Sequence, residues 1–207
     1  MNITHDKFQR SANIIMQEGL SQSSTEYLWI AHTNNNNAIA SKKSFSDLLL
    51  TTYSSVKDKG PLSDKNSLNR ANYARAGVID VLLGHSDPTG GARFWDGIDF
   101  LAWGLNSPNG TPQNKFEDFK SLSISKDVYN TYLTNAQSFY TKGYNYPIGK
   151  DANGKKKYFH SNIPDGVFTD PKNWSTGNFF YNTGVKNQPG LEATGTAGGT
   201  IFWKPTK

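Results

Sequence analysis

Helical periodicity dominates the first eighty residues. Between Asp6 and Gly19, Phe8, Ala12 and Ile15 recur on one face, with Thr4 or Asp6 at the N-cap and Gly19 as the stop, which predicts a first helix. Ser23-Ser24-Thr25-Glu26 spells a capping box and opens a second helix carrying Leu28, Ala31 and Ile39 on one face. Its Asn34-Asn35-Asn36-Asn37 run competes with the helical backbone for hydrogen bonds and predicts fraying or a turn. Ser44 or Ser46 caps a short third helix through Leu48, Leu49 and Val56, ended by Lys59-Gly60-Pro61. A fourth, Ser67 to Leu83, has Leu68, Ala71, Val78, Ile79 and Leu82 at helical spacing and stops at Gly84.

From His85 the pattern changes. Asp87-Pro88-Thr89-Gly90-Gly91 is turn chemistry, Phe94 to Trp103 is aromatic and ambiguous between strand and helix, and Ser107 to Pro112 is a loop. Ser125 caps a fifth helix, Lys126 to Tyr140. Tyr146-Pro147-Ile148 and Tyr158-Phe159 flank Asp151-Ala152-Asn153-Gly154 as a hairpin, and Thr200 to Trp203 reads as a terminal strand. No repeat recurs at a solenoid period. The order predicts an α+β chain, a helical body over residues 1–140 with a β-rich tail over 141–207 packed on it, together one domain.

Composition narrows the class. Twelve Phe, ten Tyr and five Trp in 207 residues supply the apolar surface that disordered chains lack. Apolar stretches such as Asp47 to Leu50 and Val78 to Leu83 fall far short of a membrane span. Met1 to Lys7 lacks the features of a secretory signal, which leaves a cytoplasmic site, a removed signal or another export route. The absence of cysteine excludes disulfides, thiolate nucleophiles and Cys-ligated zinc. The net charge of +5 sits largely in Lys42-Lys43, Lys155 to Lys157, Lys204 and Lys207. Nucleic acid or an acidic wall polymer would suit it, but no nucleic-acid motif is present and solvated loop lysines explain it.

Candidate chemistry starts from scarcity, since the chain has four glutamates, Glu18, Glu26, Glu117 and Glu192. Glu26 is assigned to the capping box, Glu117 to a polar segment and Glu192 to a Gly/Thr-rich stretch. Glu18 falls about 60° from Ile15 and about 40° from Ile14 around the first helix, at the edge of its apolar face and in its last turn. Loss of water and the negative end of the helix dipole both disfavour its anion there, an environment suited to a general acid. The plainer alternative is a rim carboxylate paired with Lys or Arg.

The order of helix-borne Glu18, a second helix ending in asparagine, a helix closing in Leu83-Gly84, and Asp87-Pro88-Thr89-Gly90-Gly91-Ala92 before aromatics resembles the spore cortex-lytic type of bacterial cell-wall hydrolase. These are relatives of the lysozyme-like lytic transglycosylases. The resemblance covers Lys7 to Trp95. It implies a lysozyme-like body, Glu18 as the single catalytic acid/base and the Asp87 to Ala92 loop as the floor of a sugar cleft. The family usually writes Asn-Arg where this chain has its four asparagines, and the segment after Trp95 has no counterpart in it.

The candidate catalytic set is therefore Glu18, Asp87 and Thr89, with Asp87 either a second carboxylate or a turn cap. The candidate substrate-binding set is Gly90, Gly91, Trp95, Arg75, His85 and Trp103. Paired glycines let the backbone approach a ligand, and two or three of Trp95, Phe100 and Trp103, with Tyr158, Phe159, Trp174, Phe179, Phe180 and Tyr181 in the tail, would stack on sugars while the others are core. Arg75 pairs a carboxylate, of protein or substrate, or snorkels. The four histidines are dispersed, so no metal site is expected, and no nucleotide motif is present, so no cofactor is expected. These readings imply a monomeric enzyme cutting peptidoglycan glycan strands outside the cytoplasm, in the periplasm or wall of a target bacterium. It would be delivered without an N-terminal signal as an antibacterial effector, with an immunity protein as partner, or released as a phage endolysin. A glycan-binding or structural module with a dead site is the competing class.

Overall fold

The computed structural model describes residues 3–53, 58–97, 100, 119–141, 146–150, 153–154, 156–159 and 166–206. The chain is α+β and divides into two compact units, residues 1–97 with 194–204, and 98–193 with 205–207. This division differs from the expected boundary at residue 140, because the terminal strands return to the N-terminal unit.

The first unit is built on helices α1 (His5–Glu18), α2 (Ser24–Ala40), α3 (Phe45–Thr52) and α4 (Asn69–Leu82). Thr4 caps α1 by accepting from the Lys7 N–H, Gly19 closes it, and Ser44 caps α3 through the Asp47 N–H. The core gathers Ala12, Ile14 and Ile15 of α1 with Tyr27, Ile30 and Ala31 of α2, Phe45 and Leu49 of α3, and Ala74 and Val78 of α4. A Cβ at Gly77 would lie 2.9 Å from the Tyr27 carbonyl, so the bare glycine is what lets α4 lie close against α2.

Three expectations are corrected. The asparagine run does not fray: α2 continues through it to Ala40, because buried Asn34 donates to the Phe45 carbonyl at 3.0 Å and Asn36 has acceptors described below. The buried face of α4 is Ala71, Ala74, Gly77, Val78 and Val81, while Leu68 and Ile79 are exposed, as is Ile39 on α2. Close helix approach selects small side chains, so size and not hydrophobicity defines this face. Helix α3 ends at Thr52, and Val56 lies outside the described residues.

Strand β1 (Phe94–Asp96) runs antiparallel to the C-terminal β8 (Thr200–Pro205), with Trp95 opposite Phe202. Phe202 is fully buried and meets Trp29 edge-on at 5.2 Å, fastening the strands to the helical core.

The second unit contains β2 (Ser121–Ser125), α5 (Lys126–Thr141), β3 (Tyr146–Lys150), β4 (Lys156–Phe159), the short α6 (Gly166–Thr169), β5 (Trp174–Ser175) and β6 (Asn178–Asn182). Strand β7 (Leu191–Ala197) begins in this unit and ends in the first, where it neighbours β8. Strand β2 lies between β6, antiparallel, and the start of β7, parallel. The expected hairpin is present as β3 and β4, and the expected fifth helix as α5, with Ser125 accepting from the Val128 N–H. An aromatic cluster fills the core, Phe168 stacking on Phe179 at 4.7 Å and Tyr129 meeting Trp174 edge-on at 4.9 Å. Among the described residues no helix is long and apolar enough to cross a membrane.

Candidate active site

The last turn of α1 sets Glu18 beside fully buried Ile14 and Ile15 and leaves it half-buried. The chain then turns at Gly19, where a Cβ would fall 2.5 Å from the Tyr27 ring, so only glycine fits without displacing that tyrosine. The indole Nε1 of Trp95 donates to Glu18 Oε2 over a long 3.4 Å. Trp95 is 7% exposed and stacks on Tyr53, with centroids 5.0 Å apart and planes 16° from parallel. Burial, and then the Glu18 charge, push the Tyr53 hydroxyl far above its ordinary range, so it stays a neutral phenol. The carboxyl of Glu18 is thus held beside two aromatic residues. Tyr53 was not among the sequence candidates; its only signal was an aromatic following the apolar run of α3.

Three residues upstream of Trp95 ends the loop of Asp87 to Ala92, which is built around one carboxylate. Asp87 Oδ1 accepts from the Thr89 N–H at 2.8 Å and the Thr89 hydroxyl at 2.6 Å, and Oδ2 accepts from the Gly91 N–H at 2.8 Å and Asn36 Nδ2 at 2.9 Å. Asn36 also reaches Thr89 Oγ1 and donates to the Ala92 carbonyl at 2.9 Å, so one α2 side chain pins both ends of the loop. Gly90 and Gly91 have φ of 67° and 84°, a left-handed conformation that side chains resist. Burial pushes the Asp87 carboxyl up, but the hydrogen bonds from Thr89, Asn36 and Gly91 together outweigh it and hold the group below its ordinary value.

A group depressed in this way stabilises the fold above the ordinary carboxylate range and loses that contribution as the pH falls through its folded-state value. Asp87→Asn turns one acceptor oxygen into a donor facing other donors. The expected cost at pH 7 is on the order of 1 kcal/mol, about 3 °C in melting temperature. Thermal melts of both proteins from pH 7 downward should draw together only below the ordinary carboxylate range, as the pH falls through the lowered folded-state value of Asp87. A gap that stays constant through that fall would show that the charge does not hold the loop.

The remaining candidates have protein partners. Arg75 donates to Gln9 Oε1, the Asn66 and Ser63 carbonyls and Asn72 Oδ1, which ties α4 to α1 and to the segment before α4. His85 Nδ1 lies 2.7 Å from Asp80 Oδ1, and buried His32 Nε2 lies 2.8 Å from Asp80 Oδ2, so one carboxylate joins two imidazoles. Trp103 lies outside the described residues. The structure therefore brings Trp95 to Glu18, and Thr89 and Gly91 to Asp87, while Arg75 and His85 engage other side chains. Asn36 was missed, since the sequence reading took its run as a helix breaker. No group of His, Asp or Glu among the described residues is arranged to hold a metal ion. Glu26 is corrected: it does not close a capping box on Ser23, and its buried carboxylate instead accepts from the Leu20 and Ser21 N–H groups and from Gly199 and Thr200. No family model, no curated protein and no solved structure matches this chain.

Proposed function

We propose that this chain cleaves the glycan strand of peptidoglycan on a lysozyme-like helical body formed by α1 to α4, with Glu18 as its acid/base. The observation that carries the reading is the Glu18 carboxyl at the end of α1, half-buried beside Trp95 and Tyr53.

In this mechanism Glu18 protonates the glycosidic oxygen as the bond to the muramic acid C1 breaks. The resulting carboxylate then takes the proton of the same sugar's C6 hydroxyl as its oxygen closes on C1. A 1,6-anhydro ring forms, no water is consumed and Glu18 regains its proton. The nucleophile is delivered by the substrate, a proximity advantage. A second carboxylate would be needed to activate water or attack C1. Both oxygens of Asp87 already accept hydrogen bonds from Thr89, Gly91 and Asn36, which supports a role in shaping the loop. Gly90, Gly91 and the loop backbone would then floor the cleft. The site of action is extracytoplasmic, and an effector of this kind requires a partner in the producing cell that covers the Glu18 site.

Incubation with purified sacculi, followed by mass spectrometry of the soluble fragments, tests the reading. Muropeptides ending in anhydromuramic acid are expected. Reducing ends would mean that water attacks and that another carboxylate assists. No fragments would overturn the enzymatic reading in favour of a binding module.

A further inference from the structure

The second unit carries a polar sheet face with one aromatic at its centre. Strands β2 and β6 pair Ser121 with Asn182, Ser123 with Phe180 and Ser125 with Asn178, and directly opposed residues share a face. The alternate positions Leu122, Ile124 and Phe179 are fully buried, so the serine and asparagine positions and Phe180 form the outer face. Phe180 is 54% exposed there, while its sequence neighbour Phe179 is enclosed in the core.

A cleft of about 490 Å³ opens beside Phe180, bordered by Ser121, Asn182, Gln188 and Gly190, with Lys120 at its edge. That volume falls within the usual range for small-ligand sites. Its floor is the Gly190 backbone: a Cβ there would collide with the Ser121 hydroxyl and lie 2.6 Å from the Thr206 hydroxyl. Two hydroxyls thus converge where a side chain is absent. Asn182 uses its side-chain carbonyl to accept from the Gly184 N–H at 2.9 Å.

We propose that this cleft of the second unit is a further glycan-binding site that takes a neutral stretch of sugar chain. The phenyl face of Phe180 covers the C–H face of a pyranose ring, and the amides and hydroxyls meet its hydroxyl and acetamido groups. The residues are neutral apart from Lys120 and from Glu192, which lies opposite Ser123 on β7. A strand of nucleic acid would call for a basic groove with several stacking platforms. A protein partner would call for a contiguous apolar patch, where this face has one ring among polar groups. That the sugar chain is the peptidoglycan strand rests on the proposed function.

The test uses the full chain carrying Glu18→Gln, labelled with 15N and titrated with a β-1,4-linked N-acetylglucosamine tetramer. Saturable shifts are expected at the Phe180, Asn182 and Gly190 amides. Phe180→Ala should weaken that response about tenfold and Phe180→Trp should restore it, with melting temperatures unchanged because the ring is exposed. Shifts absent from these amides, or undiminished in Phe180→Ala, would overturn the site. Shifts there with a thymidine octamer and not with the tetramer would also overturn it, in favour of a nucleic-acid surface. Tetramer binding that depends on Phe180, alongside a wild-type protein that releases nothing from sacculi, would keep this site and sink the hydrolase reading. Fragment release with an unresponsive Phe180 face would do the reverse.

Discussion

Glu18→Gln is expected to lower fragment release from sacculi by about three orders of magnitude, the middle of the range for a general acid–base group. The substitution keeps the side-chain shape and an oxygen that can accept from Trp95 Nε1, so the contact and the α1 terminus survive. What it removes is the transferable proton. Because Glu18 is only half-buried and the replacement has the same shape, the melting temperature should stay close to that of the wild type. Activity and stability therefore part company in this variant, which a merely structural Glu18 would not allow. The companion substitution Asp87→Asn has the opposite signature, since it loosens a loop whose four donors converge on that carboxylate. It should cost stability and only a modest part of the rate. A Glu18→Gln protein that keeps more than about a tenth of the wild-type rate would remove Glu18 from the mechanism.

Much of the first unit was legible because its signals are local. Thr4 and Gly19 bound α1, Ser44 caps α3, and the face of Phe8, Ala12 and Ile15 turns inward as spacing requires. The illegible parts share a different physics, because they are decided by partners distant in sequence. The four asparagines look like a helix breaker until Asn34 finds the Phe45 carbonyl and Asn36 finds Asp87 and Ala92. Leu68 and Ile79 look like core until close packing at Gly77 and Ala74 rotates α4 toward its small residues. Strand β7 did carry an alternating pattern, Leu191, Ala193, Gly195 and Ala197 inward, but its small and polar composition masked it. In the candidate site, Glu18 could be singled out from helix geometry, and Trp95 from its place after the glycine turn. Tyr53 could not, because nothing local says that the end of α3 faces the end of α1.

The largest stability effect is expected at Glu26, which local spelling assigned to a capping box. Its carboxylate is 0% exposed and accepts from four donors. Oε2 takes the Leu20 and Ser21 N–H groups at 3.0 and 2.7 Å, and Oε1 takes the Gly199 N–H at 3.2 Å and the Thr200 hydroxyl at 2.7 Å. It therefore clamps the turn between β7 and β8 to the segment joining α1 and α2. Gly198 in that turn has a φ of 58°, and a Cβ there would come within 2.8 Å of the Glu26 carboxyl carbon, so the turn fits only around this side chain. Glu26→Ala strands four buried donors and opens a void, and should cost about 3–5 kcal/mol, roughly 8–15 °C in melting temperature. Glu26→Gln separates the two causes. It fills the same space but offers one acceptor oxygen, so it leaves one pair of donors facing an NH2 group. A loss of about 2–3 kcal/mol in urea unfolding would assign most of the effect to the hydrogen bonds. A Glu26→Gln protein as stable as wild type would assign it to the void and overturn the clamp. The consequence reaches the candidate site through pairing, because β8 holds β1 with Phe202 opposite Trp95, and Trp95 donates to Glu18. Loosening the clamp should thus lower the temperature at which cleavage fails in step with the melting temperature, while leaving the rate in the cold near that of the wild type.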